Sequence, residues 1–289
     1  MKIIKPSVQF FGTVPTEYNA ALKFIEMAGR TCYKSEDKIT EDSAEGFVKK
    51  LIKAGHLAMV EHSNFVVKIR NVECDWESID LPNKYLNGLE DTVTDCAYVG
   101  GNLTAWFNAV TLEGFSPIFD PFCELYDELF NLGFTEGGTD HWQPCPHDEI
   151  PKELHRYSAK IICDRGVSHE LVRHRPCSFA QESTRYVNYG GKDMEFIEPA
   201  YPSEWNFSAY RAFDRVCKDA EYYYNLLLDN GLNPQQARAV LPNALKTEIV
   251  VTADAAEWSH IRKLRTAKSA HPDMQRVMNM MPWEEFLND

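Results

Sequence analysis

Apolar and polar positions alternate with helical spacing over much of this chain and with strand spacing in two short stretches. Between residues 16 and 28, Tyr18, Leu22, Ile25 and Ala28 fall on one side of a helical repeat, with Pro15 ahead and Gly29 behind, which predicts a helix closed by the glycine. Phe47, Val48, Leu51 and Ile52 give the stripe of a second helix over about 43–54, stopped by Gly55. Phe65-Val66-Val67-Lys68-Ile69-Arg70 and Ser158-Ala159-Lys160-Ile161-Ile162-Cys163 read as strands. A long helical pattern over 202–230 carries Tyr210, Phe213, Val216, Cys217, Ala220, Tyr224 and Leu227 and closes on Gly231. Asn233-Pro234 pairs an N-cap with a first-turn proline, and Asp254-Ala255-Ala256-Glu257 resembles a capping box opening a helix that runs to about Arg265. Helices dominate over a few strands, which predicts an α+β fold: a helix-rich domain packed on a small twisted sheet.

Composition narrows this picture. With 289 residues, 44% of them hydrophobic, the chain has enough apolar material for a sizeable core. No run approaches the length of a membrane span, and the start lacks the apolar stretch of a secretion signal. Eight cysteines are scattered without a CxxC pair and read as reduced thiols, so a cytoplasmic location is expected. The net charge of −13 is unevenly spread: residues 71–157 hold 17 acidic and 3 basic side chains, against 26 and 27 elsewhere. General nucleic-acid binding needs a basic face and is not expected; a local anion site is compatible with this balance.

That site has an obvious seat. Arg173-His174-Arg175 is followed, after seven residues, by Ser183 and then Arg185-Tyr186. Several guanidiniums in one place repel each other unless an anion such as phosphate neutralises them, and each can grip an anion with two parallel N–H bonds. Arg238 and Arg265 have the same capability, though an isolated arginine is more often a solvated surface residue. Cys177 inside the motif invites a nucleophile reading, but a small packed thiol is the commoner fate of such a residue. Ser183 has no adjacent base and is better read as a contact than as a nucleophile.

The pattern Arg-His-Arg, seven residues, Ser, then Arg-Tyr resembles the signature of the flavin-dependent thymidylate synthases. The likeness extends over roughly 1–65 and 158–280, including Gly55-His56 through Glu61-His62 and Ala237-Arg238-Ala239-Val240-Leu241-Pro242. It implies reductive methylation of dUMP to dTMP, with methylenetetrahydrofolate as carbon donor and NADPH reducing a bound FAD. It also implies a homotetramer with active sites shared between subunits, where a partner chain would supply apolar walls around the arginines. Carried over by position, the dUMP site comprises Glu170, Arg173, Gln181, Glu182, Ser183, Thr184, Arg185, Arg238 and Arg265. The FAD site comprises His56, Ala58, Glu61, Arg173, His174, Arg175, Gln181, Asp254 and His260. Arg265 is the implied catalytic residue, promoting ionisation at uracil N3: a fixed guanidinium would stabilise charge on the N3–C4–O4 side and enrich C5 in electrons. The chain departs from the family pattern at Glu170, usually glutamine, at Gln181-Glu182, and at Ala58, Asp254 and Ala256 on the cofactor side.

No metal is expected. The rival enzyme reading is a metal-dependent nucleotide hydrolase using His56, His62, His174 and His271, and the rival outside enzymology is a single-stranded RNA-binding module over 173–186. Aligning His62 and Arg173 with the family leaves a surplus of about ninety residues, far beyond ordinary loop length. A single domain over 1–289 with a large acidic insertion at about 66–157 is therefore expected. Its aromatic residues, among them Trp76, Tyr85, Trp106 and Trp142, and the amphipathic pattern over Pro121–Leu132 argue for a folded insertion. The expectation is that it packs outside the core and supplies no catalytic side chain.

Overall fold

Two strands rich in small and β-branched residues, Arg156–Asp164 and Lys246–Asp254, pair antiparallel along their whole length in the computed structural model of the chain. Residues 1–70, 86–91, 96–106, 142–200 and 205–287 are described. In chain order the strands are β1 (Lys2–Ile4), β2 (Ser7–Thr13), β3 (Phe65–Arg70), β4 (Leu86–Asp91), β5 (Cys96–Gly101), β6 (Trp142–Pro144), β7 (Arg156–Asp164), β8 (Ser178–Gln181), β9 (Glu195–Ile197) and β10 (Lys246–Asp254). The helices are α1 (Tyr18–Tyr33), α2 (Ser43–Lys53), α3 (Leu57–Val60), α4 (Arg165–Leu171), α5 (Phe207–Asp229), α6 (Pro234–Ala237), α7 (Ala255–Arg265) and α8 (Pro272–Met278).

One four-stranded sheet has the order β2-β7-β10-β8, and helices segregate beside it, as an α+β fold requires. Both long strands are buried along most of their length, with polar positions Arg156, Ser158, Lys246, Thr247, Glu248 and Thr252 buried along with the apolar ones. At the edge, β8 pairs Ser178–Gln181 against Ile249–Thr252 of β10. The second half of the arginine motif thus starts from a fixed strand end.

The first predicted helix does not stop at Gly29. It continues to Tyr33, and Lys34 closes it in the left-handed region at φ 49° with its N–H returning to Arg30 and Thr31. Gly29 has a packing role instead: a Cβ there would lie 2.7 Å from Cε1 of Phe47 on α2. Gly55, at φ 72°, does follow α2 as a terminator. The long helix starts at Phe207, capped by the Asn206 side chain, and Gly231 at φ 86° follows its end. Asn233 forms a full capping box with Gln236, and Asp254 caps α7 by accepting the Glu257 N–H.

The segment expected to pack outside the core does not do so where it is described. Its strands form a second antiparallel sheet, β4-β5-β3-β6. Leu86, Ala97, Val99, Leu103 and Trp106 share one apolar cluster with Leu22 and Ile25 of α1 and Val48 and Leu51 of α2. The Trp106 indole N–H donates to the Phe65 carbonyl at 3.0 Å. The amphipathic faces of α1 and α2 need apolar cover, and this sheet provides it. The helix expected over Pro121–Leu132 lies outside the described residues. Among the described residues, no helix is long and apolar enough to cross a membrane.

Candidate active site

The end of α4, the turn after it and the last turn of α7 meet at Arg265. Its Nε–H donates to Nε2 of His174 at 3.0 Å, one terminal nitrogen donates to the Glu170 carboxylate at 2.7 Å, and the other to the Glu170 carbonyl at 3.0 Å. His174 is buried, and its Nδ1 lies 2.8 Å from the Glu257 carboxylate. Burial holds the His174 pKa below its ordinary value; Glu257 pulls it up, and Arg265 and His260 push it down. Glu170 and Arg265, expected at the dUMP site, and His174, expected at the FAD site, are therefore in one network, with His260 beside it at a ring separation of 5.7 Å. Glu257, which sequence reasoning treated only as a capping residue, is also part of it.

Arg173 and Arg175 flank His174 and are exposed, as is Arg185. Among the described residues, none of these three guanidiniums has an acidic partner within ion-pair distance; Arg185 lies over the Tyr186 ring at 5.4 Å. Arg238 touches a hydroxyl, donating to Thr184 Oγ1 at 3.3 Å. Ser183 lies two residues beyond β8, its N–H held by the Cys32 carbonyl at 3.0 Å. Its Oγ accepts the Arg185 N–H at 3.3 Å.

Two motif residues point their polar groups into the protein. The Gln181 amide donates to Ser168 at 2.7 Å and Thr247 at 3.2 Å. Glu182 is 2% exposed, accepts the Tyr189 hydroxyl at 2.8 Å and lies 3.3 Å from the Lys246 ammonium. Lys246 also bonds Glu248, which takes Lys34 at 2.8 Å and Lys160 at 2.6 Å as well. Burial raises the Glu248 pKa, but the three lysines outweigh it and hold the carboxyl down at about 2. Lysines as far apart in the chain as Lys34 and Lys246 leave no local pattern, so this network had no signal in the sequence.

On the cofactor side, exposed His56 receives or donates a hydrogen bond with the Tyr33 hydroxyl at 2.9 Å, and Tyr33 lies 5.4 Å from the Tyr186 ring of the motif. A cleft of about 570 Å³ opens there, lined by Arg30, Tyr33, Phe47, Lys50 and His56 among others. Ala58 is exposed and offers no polar group. Burial raises the Glu61 pKa against the pull of Ser178 and Arg156. Asp254 is committed on both oxygens, to the Glu257 N–H at 2.8 Å and the Asn87 amide at 3.3 Å. A β4 residue therefore touches an expected site residue.

Arg156 ties these parts together and was not anticipated. One terminal nitrogen donates to the carbonyls of Glu61 and Ser63, the other to Ser178 Oγ and the Thr252 carbonyl. A lone arginine at the end of an acidic stretch and the start of a strand was the available signal.

The histidines of the hydrolase reading are not gathered. His62 is fully buried against Thr252 Oγ1 at 2.8 Å, His56 faces the cleft, and His271 caps α8. Among the described residues, the ligand-capable trio is His174, Glu257 and His260, with all its donor atoms within 4.8 Å of one another. An Arg265 N–H spends the Nε2 lone pair of His174, and the proton is then on Nδ1, so this imidazole has no lone pair for a cation while Arg265 is seated.

Comparison with known proteins identifies the family. Residues 16–75 and 141–286 match the family described as thymidylate synthase complementing protein. The flavin-dependent thymidylate synthase of Geobacter sulfurreducens is 39% identical over 115 residues, 39% of this chain and 48% of that protein. That of Thermococcus onnurineus is 32% identical over 129 residues, 44% of this chain and 52% of that protein. The chain spans about half the length of these curated relatives. A crystal structure of the UMP/dUMP methylase PolB from Streptomyces cacaoi with 5-Br dUMP covers 99% of this chain and 93% of its own at 16% identity and a TM-score of 0.44, too distant to bear on the ligand. With most of its length matched on both sides of the unmatched stretch 76–140, and the arginine motif inside that match, the chain belongs to the thymidylate synthase complementing protein family.

Proposed function

We propose that this protein is a flavin-dependent thymidylate synthase. It converts dUMP, methylenetetrahydrofolate and NADPH with a proton to dTMP, tetrahydrofolate and NADP⁺, with FAD as the bound hydride carrier. The observation that carries this reading is a set of guanidiniums of one motif, Arg173, Arg175 and Arg185, that have no acidic partner among the described residues, with Arg265 of α7 already oriented by Glu170 and His174. Unneutralised cations at one place suit a nucleotide phosphate and an anionic ring. Arg185, Arg238, Thr184 and Ser183 would hold the phosphate and sugar. Arg265, held by Glu170, would face the uracil and stabilise charge on its N3–C4–O4 side, which makes C5 the nucleophile.

Cysteine chemistry does not compete at Cys177 or Cys32. Cys177 is buried and its pKa is raised chiefly by burial, so at neutral pH it is a thiol and a poor nucleophile for uracil C6. Burial likewise pushes Cys32 up to about 11. Free thiols at every described cysteine are in keeping with a cytoplasmic setting.

The residues present fit a flavin in part. Arg173 and Arg175 suit its anionic groups, and the cleft walls Tyr33, Phe47 and His56 suit a planar ring. The first turn of α7 does not suit a diphosphate, because Asp254 and Glu257 bring two carboxylates there and Ala255 and Ala256 bring no donor side chain. When bound, the flavin supplies hydride from NADPH. This chain's residues position the acceptor ring and the anionic groups.

A homotetramer with shared sites accompanies this reading. α5 exposes Phe207, Val216, Tyr222, Tyr223 and Leu226, apolar side chains that a second copy would cover. The domain reading is one domain over 1–289 with an insertion at about 66–157, supported by the break in the family match between 75 and 141. The deciding experiment is turnover by purified protein reconstituted with FAD, with light scattering on the same sample. A flavin absorption band and dTMP formation are expected. No dTMP from FAD-loaded protein supplied with dUMP, methylenetetrahydrofolate and NADPH would overturn the assignment.

A further inference from the structure

We propose that Glu257 is a positioning residue for Arg265, acting through the neutral form of His174. This deepens the reading above and rests on Arg265 facing the uracil. The argument begins with proton counting. The Arg265 Nε–H can only donate, so the His174 Nε2 it meets at 3.0 Å must be the unprotonated nitrogen. The imidazole proton is then on Nδ1 and needs an acceptor. Glu257 Oε1, at 2.8 Å, is that acceptor.

Glu257 thereby selects the tautomer, the tautomer supplies a lone pair, and the lone pair holds the Nε edge of the guanidinium. Glu170 holds the other two nitrogens through its carboxylate and its own carbonyl. A guanidinium has five N–H bonds. Three are tied to protein, which fixes the plane of the group and leaves two for an anionic acceptor. Without Glu257 the imidazole proton has no partner at Nδ1 and can move to Nε2, where it would face the Arg265 N–H donor to donor. The burial that keeps His174 below its ordinary pKa acts in the same sense, because a doubly protonated ring would also lose the acceptor. The groups facing the ring are Glu257, Arg265 and His260, from α7, with Glu170 of α4 on the far side of Arg265.

Sequence order hides this unit. Glu257 and Arg265 lie on one helix, but the imidazole joining them comes from a turn more than eighty residues earlier. Glu257 also sits three residues after the N-cap Asp254, where a carboxylate has a sufficient local explanation.

The test compares Glu257→Ala with Glu257→Gln, since glutamine keeps an oxygen to accept the Nδ1 proton and alanine does not. Long-range ¹H–¹⁵N spectra, with His174 assigned by a His174→Asn sample, should show one Nδ1–H tautomer in the wild type and in Glu257→Gln. Glu257→Ala should show a mixture. At saturating dUMP, dTMP turnover of the alanine variant should fall on the order of tenfold to a hundredfold, the scale expected when a reacting group is misplaced by about an ångström. Flavin reduction by NADPH should stay within about twofold, and glutamine should restore most of the turnover. An alanine variant with the wild-type tautomer and turnover would overturn the proposal, as would a glutamine variant as slow as alanine. If the wild type makes no dTMP, the functional reading fails, while the spectra still decide whether Glu257 sets the tautomer.

Discussion

Replacing Arg156 by methionine removes a side chain that joins the turn before β3 to both β8 and β10. The guanidinium gives hydrogen bonds of 2.6 and 2.7 Å to the Glu61 and Ser63 carbonyls, 2.9 Å to Ser178 Oγ and 3.3 Å to the Thr252 carbonyl. The residue is 7% exposed, so water does not replace the lost donor. The two turn carbonyls carry most of the penalty, at about 1–3 kcal/mol for each buried acceptor left unpaired. Relief of the buried charge gives part of this back, since burial lowers the Arg156 pKa and so disfavours its charged form. Methionine fills much of the stem volume. The expected net loss is about 2–4 kcal/mol, which for a chain of this size corresponds to a fall of about 3–7 °C in Tm. Scanning calorimetry at a fixed scan rate measures it. The variant should also lose dTMP turnover, because Ser178 opens the strand that leads to Ser183. A methionine variant melting within about 2 °C of the wild type would show that Arg156 does not hold these elements together.

Arg265→Ala should cost about 3–4 kcal/mol of transition-state stabilisation, on the order of a hundredfold or more in dTMP formation. Flavin binding and NADPH oxidation should be largely kept; separate chromatographic and absorbance assays distinguish the two, and wild-type dTMP formation would exclude Arg265 from the chemistry. Stability should fall as pH drops. Burial first, and then Arg156, hold the His62 pKa at about 3, so below pH 6.5 the unfolded chain takes a proton that the folded one refuses. Glu248, held at about 2, adds a second loss that starts near pH 4.5, so thermal melts should decline from pH 7 to 4, and His62→Asn should flatten the upper part of that decline. Deleting residues 76–140 behind a short linker should give insoluble protein, because Leu86, Ala97, Val99 and Trp106 cover the apolar faces of α1 and α2; a soluble, folded product would show that this cover is dispensable.

What the chain determined by itself was local. Helical stripes, caps and terminators located α2, the body of α5, α6 and α7, because those signals act over one or two turns and depend on the backbone alone. The motif from Arg173 to Tyr186 announced an anion site, because clustered like charges are costly without a counterion. The tertiary structure decided matters that depend on contact across long sequence separation. It turned Gly29 from a helix stop into a packing contact with Phe47, since a glycine ends a helix only where the backbone there turns left-handed. It drew β4 and β5 into the core with α1 and α2, although their acidic surroundings suggested a peripheral addition. It directed Glu182 inward to Tyr189 and Lys246 while leaving Arg173, Arg175 and Arg185 outward, a sorting that residue type does not predict. It also gave Glu257 a partner in His174 and Arg156 a set of acceptors from three segments. Periodicity assigns a side chain to a face of its own element, but only packing determines which charges and lone pairs that face will meet.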